Sequence, residues 1–120
     1  MKRVLTVDDS RVMREMLNMA LVGAGYSVVQ AVDGEHGLAV LKDNPVDVII
    51  TDINMPKLDG YGFIEGVRGD PKNRAIPILV LSTESDAAKK QRARDAGATG
   101  WIVKPFNTEK LVEALRRVSA

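Results

Sequence analysis

Apolar residues arrive along this chain in short unbroken runs, separated by longer stretches in which they recur at helical spacing. Residues 4–7 form the first run, cut off by Asp8-Asp9-Ser10. From Arg11, Met13, Met16, Leu17 and Ala20 fall on one helical face, which Gly23 and Gly25 are suited to end; Met13 and Met16 are expected in the core and Met19 partly exposed. Residues 27–31 predict a second strand. Asp33 predicts a cap for a helix through Lys42, with His36, Ala39 and Val40 at the inward spacing. Asp33-Gly34 is also a hairpin dipeptide, but its flanks do not alternate as a hairpin requires. Residues 46–51 predict a third strand, followed by a polar loop over 52–60. Phe63, Ile64 and Val67 predict a helix despite Gly62 and Gly66, each costing about 1 kcal/mol relative to Ala. Residues 70–73 read as a loop and 76–81 as the fourth strand. Ser85 is the expected cap of a polar helix to Ala96, ended by Gly97. Residues 101–103 predict the fifth strand. Asn107 is the expected cap of a last helix with Leu111, Leu115 and Val118 inward.

Five strands alternating with five helices imply right-handed crossovers, a parallel sheet and helices on both its faces. The expected fold class is therefore α/β, a doubly wound five-stranded parallel sheet. Runs without polar alternation suit strands covered on both sides.

Composition narrows this picture by exclusion. A length of 120 residues is one domain by default, expected over 1–120 with no room for an effector module. The absence of cysteine removes disulfide scaffolds and thiolate metal sites. A formal charge of +1 offers no case for nucleic acid or a membrane surface as partner. The basic start is followed by an apolar run far short of the roughly 20 residues of a membrane span. A cytoplasmic protein without membrane attachment is expected.

Ligands of open α/β sheets bind beyond the carboxyl ends of the strands. The residues there are Asp8 and Asp9 after the first strand, Asp52 after the third, Ser82 and Thr83 after the fourth, and Lys104 and Pro105 after the fifth. Three converging carboxylates repel one another and call for a cation or a retained proton. Hard oxygen donors with open positions suit Mg²⁺, and the lysine and hydroxyl opposite suit an anion. Acids on one side and Lys plus Ser on the other are the parts of a phosphoryl site, where positioning and charge neutralisation do most of the chemistry.

Val7-Asp8-Asp9-Ser10, Thr51-Asp52-Ile53-Asn54-Met55-Pro56 with Asp59-Gly60, Leu81-Ser82-Thr83-Glu84, Ala96-Gly97-Ala98 and Val103-Lys104-Pro105-Phe106 occur in this order. With these pieces the whole chain resembles a response-regulator receiver domain, in particular the single-domain chemotaxis regulators of the CheY type. The resemblance implies the flavodoxin-like strand order 2-1-3-4-5, for which that type of protein is a standard example. It implies that Asp52 is the phosphoacceptor, taking a phosphoryl group from a phosphohistidine on a CheA-like histidine kinase. It implies Mg²⁺ held by Asp9, Asp52 and the backbone carbonyl of Asn54, with Asp8 acting through water. Lys104 would hold a phosphoryl oxygen, Ser82 would be the switch hydroxyl with Thr83 beside it, and the Lys104–Pro105 bond would be cis. Trp101 stands where the family more often has Tyr or Phe; that aromatic turns inward on phosphorylation. Asn54 and Glu84 would modulate dephosphorylation, their pairing resembling rapidly resetting regulators. Arg11, Val12, Arg14 and Glu15 on the first helix would contact the kinase. The implied protein is a monomer whose activated surface binds a target, the flagellar motor switch foremost.

Other readings compete. A phosphorelay carrier or phosphate sink would share the chemistry without a motor target. An aspartate-nucleophile phosphatase needs an acid two residues after its nucleophile, where this chain has Asn54. A flavin or nucleotide binder would need a Gly-rich cradle after the first strand, which is missing. His36, the only histidine, reads as a surface residue away from the strand ends, and Lys89, Lys90, Arg92 and Arg94 as a solvated or docking face.

Overall fold

The computed structural model describes residues 2–119. Its strands are β1 (Arg3–Val7), β2 (Ser27–Ala31), β3 (Val48–Thr51), β4 (Ile78–Ser82) and β5 (Gly100–Val103). Its helices are α1 (Arg11–Gly23), α2 (Gly34–Asp43), α3 (Gly60–Gly69), α4 (Ala87–Ala96) and α5 (Thr108–Val118). A single 3₁₀ turn, Pro71–Asn73, occupies the loop expected before β4. All strand pairs are parallel, in the order β2-β1-β3-β4-β5. Among the described residues, no helix is long and apolar enough to cross a membrane.

Strand residues divide by parity between two cores, because successive side chains leave a strand on opposite faces. Leu5, Val7, Ile49, Ile78 and Val80 pack with α2, α3 and Ala93 of α4. Val4, Val48, Ile50, Leu79 and Leu81 pack with α1 and α5. Both faces being covered is why the runs carry no polar alternation.

Each helix begins on a short polar side chain that accepts an N–H of its first turn. The caps are Ser10 to Met13, Asp33 to His36, Asp59 to Gly62, Asp86 to Ala88 and Asn107 to Lys110. The cap of α4 is therefore Asp86 and not Ser85. Ser85 lies one residue too early for the helix that forms, and the Asp86 carboxylate meets both Ala88 and Lys89 N–H groups.

Two inward faces also differ from expectation. On α1 the buried residues are Leu17 and Leu21, with Met13 against them, whereas Met16 is exposed beside Met19. On α2 the inward face is Gly34, Gly37 and Leu41 with Leu38 and Val40; His36 and Ala39 point to solvent. The exposed His36 instead accepts the Val32 N–H at Nδ1, 3.0 Å away.

Candidate functional site

The backbone carries the site. The hydrogen-bond ladder continues one residue past the strand ends. Asp8 N–H donates to Ala31 O (3.2 Å), Asp52 N–H to Val7 O (2.9 Å) and Lys104 N–H to Ser82 O (2.7 Å). Each of these residues thus leaves the sheet in a fixed direction. Strand order reverses between β1 and β3, and that crevice holds Asp8 and Asp52, the expected binding position of such a sheet. Gly60 closes the loop behind it, its N–H on Ile53 O at 2.8 Å. A Cβ on Gly60 would lie 2.3 Å from Asp52 O, so only glycine lets α3 start this close to the site.

Asp8 is buried, Asp52 half-buried and Asp9 exposed, and one carboxylate oxygen of each lies within 4.8 Å of the others. Lys104 Nζ stands 3.1 Å from Asp8 Oδ2 and 3.3 Å from Asp52 Oδ2. The remaining oxygens are also engaged: Asp8 Oδ1 accepts Ser10 N–H (2.9 Å) and Asp52 Oδ1 accepts Ile53 N–H (2.8 Å). Asp9 has no ion-pair partner among the described residues. One lysine against three carboxylates leaves an excess of negative charge in a partly desolvated crevice. Hard oxygen donors with that excess fit a divalent cation. Burial pushes the Asp52 carboxyl above the usual carboxylate range, opposed by the Ile53 N–H and Lys104 and aided by Asp8. A basic carboxylate at a crevice mouth is a competent nucleophile.

Ser82 is buried at the end of β4, its Oγ accepting Glu84 N–H at 3.2 Å; Thr83 is exposed next to it. Trp101 on β5 is half-buried and donates its indole N–H to Glu84 O at 2.8 Å. The Lys104–Pro105 peptide is cis. Asn54 is exposed in the loop after Asp52.

Of the α1 residues singled out, Arg11 and Glu15 form an exposed ion pair at 3.2 Å and Val12 is open to solvent. Arg14 has a task that spacing alone did not assign. Its Nη1 donates to Asp8 O at 2.7 Å, pinning the turn that carries both acids. A clue was available: long helical side chains reach back toward the N-terminus, and Arg14 lies six residues after Asp8.

Comparison with known proteins agrees with this geometry. Residues 4–116 match the family described as the response regulator receiver domain. The probable chemotaxis protein CheY of Rhizobium etli is 38% identical over 117 residues, covering 97% of this chain and 91% of that protein. The probable transcriptional regulator ycf27 of Guillardia theta is 39% identical over 98% of this chain, which spans only 45% of that longer protein. Among solved structures, chemotaxis protein CheY4 of Vibrio cholerae superposes with a TM-score of 0.95 at 47% identity, covering 98% of both chains.

Proposed function

The chain belongs to the response regulator receiver family of two-component signalling, and from that premise we propose that it is a chemotaxis switch phosphorylated on Asp52. The observation that carries this reading is Lys104 Nζ bridging Asp8 and Asp52 at 3.1 and 3.3 Å, beside a third acid, Asp9, without an ion-pair partner among the described residues.

Asp9, Asp52 and the backbone carbonyl of Asn54 would hold Mg²⁺, with Asp8 acting through water; the charge excess of the crevice supports this. An ion held there would supply charge neutralisation for the phosphoryl oxygens. The chain's own residues do the rest. An Asp52 carboxylate oxygen attacks phosphorus of a phosphohistidine on a CheA-like kinase. The P–N bond breaks, its electron pair stays on the imidazole nitrogen, and an acyl phosphate forms on Asp52. Lys104, already within reach of Asp52, exchanges a carboxylate for a phosphoryl oxygen. The Ser82 hydroxyl still has its proton to donate, because in the resting structure it acts as an acceptor. Trp101 and Ser82 both bond to Glu84, so a shift of Ser82 is felt at β5 and α4. Release of inorganic phosphate by water restores the carboxylate.

The chain acts in the cytoplasm as a monomeric receiver whose target is a protein of the flagellar motor switch. Support for a chemotaxis output comes from the Rhizobium etli and Vibrio cholerae proteins, both named for chemotaxis and both matched over nine-tenths or more of their length.

Incubation with acetyl phosphate and Mg²⁺ tests the chemistry. Intact mass is expected to rise by one phosphoryl group in wild type and not in Asp52→Asn. Turnover of many unrelated phosphate esters without an adduct on Asp52 would overturn it in favour of a phosphatase. Capture of a motor protein by the beryllofluoride form, and not by the untreated form, tests the output.

A further inference from the structure

Helix α4 lacks the means by which the other helices are held. Its buried residue is Ala93, and no large apolar side chain faces the sheet. Polar contacts fasten it instead. The Arg92 guanidinium lies over the Tyr61 ring of α3, 3.9 Å from its centroid. One turn earlier, Lys89 forms an ion pair with Glu84, their side chains 48% and 32% exposed.

Glu84 is engaged at all of its polar groups. Its N–H donates to Ser82 Oγ, its carbonyl accepts from Trp101 Nε1, and its carboxylate is taken by Lys89. The backbone bonds hold the residue two positions from the switch hydroxyl, while Lys89 turns its side chain toward α4.

From this arrangement we infer that Lys89 is a positioning residue that sets the lifetime of the acyl phosphate by withholding the Glu84 carboxylate from it. The inference rests on the phosphoacceptor reading of Asp52. In hydrolysis, water attacks phosphorus, the bond between phosphorus and the Asp52 oxygen breaks, and the carboxylate is regenerated. Inorganic phosphate leaves, and the proton lost by water passes to solvent. An attacking water needs an acceptor to orient it. In the acyl phosphate the Asp52 carboxylate carries the phosphoryl group, and Asp8 and Asp9 stand in the cation-binding cluster. Glu84, two residues beyond Ser82 at the end of β4, is the acid that takes up that task once Lys89 releases it. Arg11 and Glu15 form another exposed pair, but on α1, where it constrains no residue bonded to Ser82.

An exposed ion pair shifts such an equilibrium by no more than about fivefold. The effect is therefore a tuning of rate and not a gate. Full-length protein is loaded with acetyl phosphate and Mg²⁺, the donor is removed, and decay of the intact-mass adduct is followed. Lys89→Met, which keeps the stem and removes the charge, is expected to shorten the lifetime about two- to fivefold. Lys89→Arg is expected to restore it. In a Glu84→Gln background, Lys89→Met is expected to change nothing, because the acceptor charge is gone. Raised ionic strength is expected to shorten the wild-type lifetime and leave that of Lys89→Met unmoved, since salt screens the exposed pair. Equal lifetimes for wild type and Lys89→Met, or a Lys89→Met effect that persists in the Glu84→Gln background, would overturn the inference alone. Failure of wild type to form any adduct on Asp52 would overturn the phosphoacceptor reading, and this inference with it.

Discussion

Asp52 works against its own solvation. Burial raises its carboxyl pKa despite the Ile53 N–H and Lys104, so on balance the fold disfavours the charge that the proposed chemistry needs. A carboxyl whose folded pKa is raised contributes stability below its unfolded pKa and loses it as pH rises through the folded value. In metal-free buffer Asp52→Asn is therefore expected to melt above wild type at neutral pH. The difference should shrink as pH falls toward the ordinary carboxylate range; thermal melts across that range check it, and a constant difference would contradict it. Thr6 carries a simpler cost. Its Oγ1 is fully buried in β1 with no hydrogen-bond partner among the described residues. Thr6→Val replaces that hydroxyl by a methyl of similar shape, and is expected to stabilise by about 1 kcal/mol in denaturant unfolding. Both acids of the first strand end, Asp52 and Lys104 were legible as single residues, since each lies at the close of an apolar run. The roles of Arg14 and Lys89 were not, because a long side chain's partner depends on what the fold brings within its reach.

At the level of elements, the strand runs and helix order were readable and the helix faces less so. Met16 and Leu17 are adjacent on α1, and periodicity alone places both near the stripe; the neighbouring α5 decides that Leu17 and Leu21 fill the core. On α2, the close approach of Phe63 selects Gly37 for the inward face, with a hypothetical Cβ there only 2.7 Å from the Phe63 ring. Glycines that looked like weaknesses are points of contact. The C-terminal end of α3 shows what joins elements once they meet. Arg68 donates through Nε to Gly97 O (3.0 Å) and through Nη1 to Arg74 O (3.1 Å) and Ile76 O (2.7 Å). One guanidinium thereby ties α3 to the end of α4 and the entry of β4. Arg68→Leu is expected to destabilise the chain by about 2 kcal/mol by leaving these carbonyls unpaired. Arg68→Lys should recover little, because an ammonium cannot match the planar fork. Chemical denaturation of both variants measures the difference.

The whole molecule converts a sheet edge into a charged crevice. Its excess negative charge costs stability until a cation enters, so ion binding and folding are linked. Mg²⁺ at a hundredfold its dissociation constant is expected to stabilise the chain by about 2.7 kcal/mol, seen as a rise in melting temperature. Asp9→Asn should lose most of that rise, and an undiminished rise would place the ion elsewhere. Ser82 is linked through Glu84 to Lys89 on α4, the helix with the fewest apolar anchors, so a shift at Ser82 acts on the most weakly held part of the surface.

By itself the sequence determined the fold class, the order of elements and the identity of the acids, lysine and serine at the strand ends. These follow from local rules: apolar runs set strands, periodicity sets helices, and in a parallel sheet the residues after the runs share one edge. Tertiary structure alone decided which helix face turns inward, which cap is used and how charges pair. Lys104 reaches Asp8 across 96 positions of sequence, and Trp101 reaches Glu84 across 17. Such contacts depend on sheet order and side-chain reach, and neither has a signature in local spacing.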